Sequence, residues 1–244
     1  MVTRAEQKAL TRGALIDSVL RIIGDGANFA SISLREVTKA AGLVPASFYR
    51  HFADMDDLGL AVVDELGLDL RRLMRGSVDT SLPLEDVVQG LAYGYETYVH
   101  GASHLVQFVN QARTGGSPRV RAAIAHELDF FISRVAGSLS DLVPGLRPGD
   151  RQTVAELMLA VLLESTTELL ATPEDDESRL EELREALSAR LMVVLLGAQA
   201  LARPVRPARE PRASATKTAA AGRGGGRGSA AVRPVKPVGP VRPA

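Results

Sequence analysis

Residues 31–52, SISLREVTKAAGLVPASFYRHF, constrain the fold of this chain more than any other stretch. Ser33 is followed three residues later by Glu36, which is the pattern of a capping box. In that arrangement the hydroxyl and the carboxylate each satisfy a free backbone N–H at a helix start. Ile32 and Val37 have the spacing of the hydrophobic staple that accompanies such a box. The pattern therefore predicts a helix that begins here.

The predicted helix ends at a glycine turn, and a second, short helix follows it. Gly42 permits the left-handed backbone that is usual just past a helix C-terminus, and Pro45 has the fixed φ of a first-turn residue. A helix of about two turns, wound at about 100° per residue, places Phe48 and Phe52 together as an anchor. Its other sides then carry Ala46, Ser47 and Arg50, with Tyr49 and His51 on the flanks.

Two helices joined by a glycine turn, with a small, hydrogen-bonding and basic outer face, suit the DNA major groove. Any helical hairpin has a polar outer face, so the periodicity alone leaves an ordinary solvated hairpin as an equal alternative. The residue identities favour DNA. The predicted DNA-binding residues are Ser33, Arg35, Pro45, Ala46, Ser47, Tyr49, Arg50 and His51.

The run GLVPASFYRHFADMDDL, residues 42–58, resembles the recognition-helix signature of TetR-type transcriptional regulators. In that family a Tyr and a His near the helix end usually hold the DNA backbone, which implies this role for Tyr49 and His51. The resemblance covers roughly residues 4–200. It implies an all-α protein with an N-terminal three-helix helix-turn-helix domain and a C-terminal helical ligand-binding and dimerisation domain. The expected partner is double-stranded palindromic operator DNA.

Residues 29–75, 112–139 and 179–191 are similar to the FabR/DesT-like branch of that family, whose repressors regulate fatty-acid desaturation and unsaturated fatty-acid synthesis. The effector of that branch is a long-chain acyl-CoA, which needs an apolar tunnel and positive charge near its mouth. The resemblance implies a ligand site formed by Tyr95, Phe108, Arg113, Phe130, Phe131, Met158 and Leu162. Aromatic and Met residues at helical spacing are equally compatible with an ordinary core. Neither a cofactor nor a metal is expected besides this effector.

The rest of the chain up to residue 202 has helical periodicity, and no segment has the pattern of a strand. One helix is expected to end at Gly24, and Asp54 with Asp57 is expected to cap a long connecting helix. Gly59 and Gly67 inside that helix each cost about 1 kcal/mol relative to alanine, and either close packing or bending would account for them. Further helices are expected over residues 84–99, 103–112, 118–142, 149–171 and 177–202.

The last two predicted helices supply the expected dimer surface. The final helix carries a leucine seam, and the helix before it carries a broad apolar face. The seam comprises Leu180, Leu183, Leu187, Leu191 and Leu195, and the face comprises Val154, Leu157, Met158, Val161, Leu162 and Leu169. An apolar seam is more often intramolecular core than interface. A homodimer is expected nevertheless, because two-fold DNA readers need heads about 34–36 Å apart and the resembling family dimerises through its last two long helices.

The formal net charge of zero conceals three differently charged parts. Residues 1–51 contain seven Lys or Arg and four Asp or Glu, residues 52–202 contain twelve and twenty-four, and residues 203–244 contain ten and one. A basic head on an acidic body suits a protein that touches phosphate at one end. The predicted domains are a DNA-binding domain (1–53), a ligand-binding and dimerisation domain (54–202) and a disordered basic Pro/Gly/Arg/Ala-rich tail (203–244).

The chain has no cysteine, and its N-terminus lacks the apolar core of a signal peptide. No stretch approaches the roughly 18–20 uncharged apolar residues of a membrane span. These features predict a cytoplasmic protein without membrane contact, associated with the nucleoid through DNA.

Three other classes of function are alternatives to a lipid-responsive regulator. An enzyme is disfavoured, since the four histidines have no metal-ligand spacing and neither a Gly-x-Ser-x-Gly elbow nor a cysteine nucleophile is present. A nucleoid-type architectural protein would use the head and the tail without operator specificity. A TetR-type regulator of an efflux or degradation gene, responding to another hydrophobic small molecule, is the third alternative.

Overall fold

The computed structural model describes residues 3–75 and 81–202. Within these ranges the chain forms nine α-helices and one short 3-10 helix, and no strand. The helices are α1 (Arg4–Gly24), α2 (Leu34–Ala40), α3 (Pro45–Phe48), α4 (Met55–Leu73), α5 (Leu84–Gly101), α6 (Ser103–Ala112), α7 (Pro118–Leu142), α8 (Pro148–Ala171) and α9 (Glu177–Ala202), with the 3-10 turn at Phe29–Ser31. The predicted all-α fold is confirmed. The predicted tail, residues 203–244, lies outside the described residues.

Side-chain caps explain where the N-terminal helices begin. The predicted box at α2 is confirmed: Ser33 Oγ accepts from the Glu36 N–H at 3.3 Å, and the Glu36 carboxylate accepts from the Ser33 N–H at 2.8 Å. Asp54 caps α4 as predicted, because its carboxylate accepts from the Asp57 N–H at 2.8 Å. A further capping box, which was not predicted, starts α1 at Thr3. These helix starts are thus fixed by local sequence.

The second helix of the motif is shorter than the predicted two turns. The regular part of α3 is Pro45–Phe48, four residues long, and the next three residues form a turn. Helical hydrogen bonding still reaches Phe52, whose N–H donates to the Phe48 C=O at 3.0 Å. The regular helix stops early because Asp54 is already extended as the cap of α4. Both phenylalanines are buried, as predicted.

Two large apolar cores organise the described helices. The first contains residues of α1, α2 and α3 together with residues of α4, α6 and the start of α7. The second lies among α5, α7, α8 and α9. A smaller third core joins α5, α6, α8 and α9 around Val99, Val106, Leu169 and Leu180. Because the first core crosses residue 53, the head (residues 3–53) and the body (54–202) share a continuous apolar contact.

The two glycines of α4 lie at close contacts. A Cβ at Gly59 would come within 2.8 Å of Val120 Cγ2 and 2.9 Å of Phe29 Cζ. A Cβ at Gly67 would meet the Glu127 carboxylate at 2.6 Å. Close packing therefore accounts for Gly59, whereas the neighbours of Gly67 are the ends of flexible Glu127 and Arg71 side chains, which can move aside.

α9 has two apolar faces, and the predicted leucine seam is not the exposed one. Four of the five seam residues, Leu180, Leu187, Leu191 and Leu195, are buried within the protomer, so the seam is intramolecular core. On other sides of the same helix, Val193 is 71% exposed and Leu196 is 52% exposed.

α9 is also the one described helix that is long and apolar enough to cross a membrane by length and composition, although no long uncharged run was found in the sequence. Only 22% of its most apolar window is buried. Its charge-free part, residues 191–202, is shorter than a membrane span. α9 is apolar in composition because it has one buried apolar face and one exposed apolar face.

Candidate nucleic-acid interface

α3 presents a small, polar and basic surface above a buried aromatic base. Phe48 and Phe52 pack with ring centroids 5.5 Å apart. Tyr49 packs edge-on against Phe48 at 5.8 Å, and 65% of its surface remains exposed. The other predicted contact residues of this helix are accessible to different degrees: Pro45, Ala46 and Arg50 are exposed, and Ser47 and His51 are half-buried. The surface predicted to read DNA is therefore open.

The two predicted contact residues at the start of α2 differ in whether their side chains already take part in hydrogen bonds of the helix cap. The Ser33 hydroxyl donates to the Glu36 carboxylate at 2.6 Å and accepts from the Glu36 N–H. These hydrogen bonds from Ser33 hold the pKa of Glu36 below its ordinary value. Arg35 is exposed on α2. The Ser33 hydroxyl is thus engaged in the cap, and a DNA contact by either residue stays a prediction.

His51 lies beside positive charges from two parts of the head. Lys8 and Arg12 of α1 and the preceding Arg50 all act on its ring, and we call these three residues the cationic cluster. Burial, followed by repulsion from the cluster, lowers the pKa of His51. The Arg12 guanidinium also lies over the Phe52 ring, 5.5 Å from its centroid. Such a concentration of positive charge beside α3 suits a DNA phosphate.

Lys8 and Arg12 are absent from the residues predicted to bind DNA. The sequence does contain a signal for them, since Arg4, Lys8 and Arg12 recur every four residues and therefore share one face of α1. Only the packing of α1 beside the end of α3 shows where that face lies. A basic stripe by itself is usually a solvated helix face.

The last turn of α6 and the residue before α7 bond by their side chains to the head and to the start of α4. Gln111 accepts from the Phe29 N–H at 3.3 Å and donates to the Ala27 C=O at 3.4 Å. Ser117 Oγ donates to Asp56 Oδ2, in the first turn of α4, at 2.6 Å. We call Gln111 and Ser117 the junction residues, because they join α6 and α7 to the head and to the first turn of α4.

The residues predicted to bind ligand divide between the two large cores and the surface. Phe108 is buried in the first core with its ring edge-on to Phe29 at 5.1 Å, and Phe131 packs against the same core. Phe130 is 45% exposed. These three aromatic residues are therefore not gathered around one site.

The other four predicted ligand residues lie on α5, α8 and the end of α6. Tyr95, Met158 and Leu162 belong to or pack against the second core. Burial raises the pKa of Tyr95, while its hydrogen bond to Thr166 and the charge of Arg113 oppose this rise. The Tyr95 hydroxyl lies 2.6 Å from Thr166 Oγ1. This group combines apolar surface, one phenol and one guanidinium.

A cleft of about 840 Å³ lies elsewhere, between α1, α4 and the α5–α6 turn. Its lining carries both signs of charge, including Arg12, Asp17, Asp69 and Arg72. The seven residues predicted to bind ligand are all outside this lining.

The histidines provide no metal site in the described part of the chain. His100 lies near the end of α5 and His104 lies on α6, so the two do not share a helix face. Within residues 3–75 and 81–202, no group of three or more His, Asp or Glu side chains could hold a metal ion.

The capped α2, the glycine turn and the exposed α3 define a helix-turn-helix DNA-binding protein. Residues 27–62 match the family model of bacterial regulatory proteins of the tetR family. The match covers the helix-turn-helix and the first turns of α4, so this segment is similar to the DNA-binding domain of that family.

Solved structures show that the described helices have the fold of such regulators. A putative TetR-family transcriptional regulator from Rhodococcus sp. is 18% identical, with a TM-score of 0.60, over 76% of this chain and 98% of that chain. The transcriptional regulator FadR from Bacillus subtilis, solved in complex with stearoyl-CoA, is 14% identical with a TM-score of 0.57, over 73% and 96%. The fatty acid degradation regulator FadR from Bacillus halodurans is 13% identical with a TM-score of 0.57, over 72% and 93%.

Proposed function

We propose that this chain is a homodimeric, ligand-responsive repressor whose α3 reads palindromic operator DNA. The observation that carries the proposal is the open outer face of α3, anchored by Phe48 and Phe52, in a domain that matches the tetR family model. In this reading Ser47 and Arg50 contact base edges, and Tyr49 and His51 contact the phosphate backbone. The head and the body then act as separate functional domains that meet near residue 53.

The dimer surface is proposed on the exposed apolar side of α8 and α9. Leu157 on α8 and Val193 and Leu196 on α9 are more than half exposed, and a contiguous apolar patch of this kind marks an interaction site. Small exposed residues, Ala189 and Gly197, lie beside them and permit close helix packing. A second copy of the chain covers this surface and places a second head for the other half of the operator.

The proposed effector is a long-chain acyl-CoA, and the proposed targets are fatty-acid desaturase or other lipid-metabolism genes. The apolar residues around Tyr95, Met158 and Leu162 would accept an acyl chain, and Arg113 would meet its polar end. The shared fold of FadR from Bacillus subtilis, solved with stearoyl-CoA, supports this class of ligand.

A second candidate keeps the regulator and changes the effector. The separation of Phe108, Phe130 and Phe131 from the Tyr95 group leaves a smaller apolar site than a long tunnel would need. Another hydrophobic small molecule would fit such a site, and the controlled gene would then encode an efflux or degradation protein.

The proposed signal passes from the body to the head through the junction residues. A ligand among α5, α6 and α8 favours one position of α6, and Gln111 carries that position to the backbone of Ala27 and Phe29. Ser117 carries it to α4 through Asp56. The ligand shifts the separation of the two heads only by its differential affinity for the two states.

The experiment that tests this function is operator binding at fixed salt, titrated with effector. DNA from upstream of the protein's own gene and of desaturase genes is compared with a random duplex, in palmitoyl-CoA, oleoyl-CoA or CoA alone. Specific binding that changes with acyl-CoA but not with CoA supports the first candidate. Specific binding that does not change with acyl-CoA would indicate an effector of another chemical class. Equal affinity for the operator and the random duplex would support an architectural protein.

A pair of variants locates the ligand site. Met158→Trp should block the space next to Tyr95 and abolish the acyl-CoA response while operator binding persists. Phe130→Trp is the matched control, because Phe130 lies at the surface and its enlargement should leave the response intact. A response lost in the control alone would place the ligand on α7.

A further inference from the structure

His51 has an unusual environment for a residue that meets phosphate. Its Nδ1 is buried and has no hydrogen-bond partner among the described residues. A neutral imidazole tolerates this, because one ring nitrogen then serves as an acceptor that is left unpaired. An imidazolium would bury an unpaired N–H that carries part of a positive charge, which is far less favourable. The burial therefore favours a neutral ring in the free protein.

The charges that act on the His51 ring are all positive. Lys8 and Arg12 approach it from α1, and Arg50 precedes it in the chain. The carboxylates of neighbouring α4 are engaged elsewhere. Asp54 and Asp57 hydrogen-bond backbone N–H groups at the start of that helix, and Asp64 lies 4.0 Å from Arg12. Asp64 thus offsets part of the charge of Arg12, while the charges from the described residues that act on the His51 ring itself are all positive.

We propose that the head takes up a proton when it binds DNA, with His51 neutral in the free protein and protonated once a backbone phosphate enters the cationic cluster. The inference rests on the proposed function, since it requires α3 to contact DNA. The phosphate brings a negative charge next to the ring, and that charge favours the imidazolium over the neutral imidazole. Lys8 and Arg12 thereby become part of the phosphate site although they lie on α1.

The direction of the pH dependence follows by linkage. Burial and the cationic cluster lower the pKa of His51 in the free protein, and a bound phosphate raises it. Below the free-protein pKa the ring is charged in both states, and above the bound-state pKa it is charged in neither. Between the two values DNA affinity rises as the pH falls, by at most about tenfold per pH unit, because a single proton is taken up.

The test measures the affinity for a random-sequence duplex of about 30 bp between about pH 5.5 and pH 8 at constant ionic strength. A random duplex suffices, because phosphate contacts carry no sequence information. His51→Gln keeps a hydrogen-bond donor but cannot titrate, and His126→Gln is the matched control on the exposed surface of α7. The wild type and His126→Gln should bind more tightly as the pH falls, by up to about tenfold more than His51→Gln.

A second measurement follows the His51 ring by NMR in the free protein and in the complex. The pKa of His51 should be higher in the complex, and Lys8→Ala should raise the pKa of the ring in the free protein by removing one repulsive charge. Parallel pH profiles for the wild type and His51→Gln, or the same ring pKa in both states, would overturn the proton uptake alone. Failure to bind any duplex at any pH would instead overturn the proposed function.

Discussion

The head and the body of this protein are both helical, but different features define them. In the head, α2 has only seven residues and begins at a side-chain capping box, and α3 has four. In the body, α8 and α9 have 24 and 26 residues; α8 starts without a side-chain cap, and at the start of α9 the Asp176 carboxylate accepts from the Arg179 N–H. The short helices of the head thus depend on a few residues at fixed positions, whereas the long helices α8 and α9 are stabilised mainly by packing against their neighbours.

This difference also separates how the two regions work. In the proposed function the head contacts DNA through exposed side chains on α1 and α3, which lie around a few buried aromatic rings. The body is proposed to form the dimer through the exposed apolar face of α9, while the other apolar face packs inward. Single changes in the head should accordingly act on DNA directly, while changes in the body should act through assembly or stability.

Removing a buried ring from the head should have the largest effect. Phe48→Ala should lower the free energy of unfolding by about 3–5 kcal/mol, because it leaves a cavity in the first core. Leu187→Ala is the matched change in the second core, with an expected cost of about 2–5 kcal/mol. Calorimetry should show one transition in both variants, because the first core joins the head to the body. An early separate transition in Phe48→Ala alone would make the head an independent folding unit.

A charge on the exposed face of α9 should have the next largest effect. Val193→Glu should dissociate the proposed dimer and weaken operator binding by about 100-fold, because a buried unpaired carboxylate is costly. Sedimentation equilibrium gives the mass, and titration with operator gives the affinity. Leu68→Glu, at an exposed leucine of α4, is the control and should remain dimeric. A dimeric Val193→Glu would place the interface elsewhere.

Breaking a junction hydrogen bond should have a smaller effect, confined to the contact between the regions. Ser117→Ala removes the hydrogen bond to Asp56 and should cost about 1–2 kcal/mol, because the acceptor is charged. Hydrogen exchange should speed up in the first turn of α4. Ser133→Ala serves as the control, since Ser133 bonds only to its own helix, through the Asp129 C=O. Equal rates of hydrogen exchange in the two variants would show that the junction residues do not carry the proposed signal.

Removing the α2 cap should have the smallest effect. Ser33→Ala should cost about 1 kcal/mol of stability, as measured by thermal unfolding. The pKa of Glu36 is lowered by its hydrogen bonds to Ser33. The stabilisation from this carboxylate is therefore present above its unfolded-state pKa and is lost as the pH falls through its folded-state pKa. The difference between wild type and variant should shrink in acid, and a constant difference would show that the carboxylate is uninvolved.

Much of the fold could be predicted because its signals are local. The capping box of α2, the cap of α4, the turn at Gly42 and the positions of α6, α7 and α9 follow from residues near one another in the chain. The length of α3 could not be predicted from its own pattern, because the cap at Asp54 cuts the helix short. The prediction that Tyr95, Phe108, Phe130 and Phe131 line one ligand site was also wrong. Helical spacing does not show which of the two cores a residue joins.

The sequence by itself determined the helical class, the helix-turn-helix and the aromatic anchor of α3, since caps, turns and periodicity act within a few residues. Tertiary structure alone decided that α1 brings Lys8 and Arg12 beside His51, that Gln111 bonds to the head and that Ser117 bonds to the first turn of α4. It also decided which apolar face of α9 is core. These arrangements depend on contacts between residues far apart in the chain. Helical periodicity shows which residues share a face of a helix, but it does not show which other helix packs against that face.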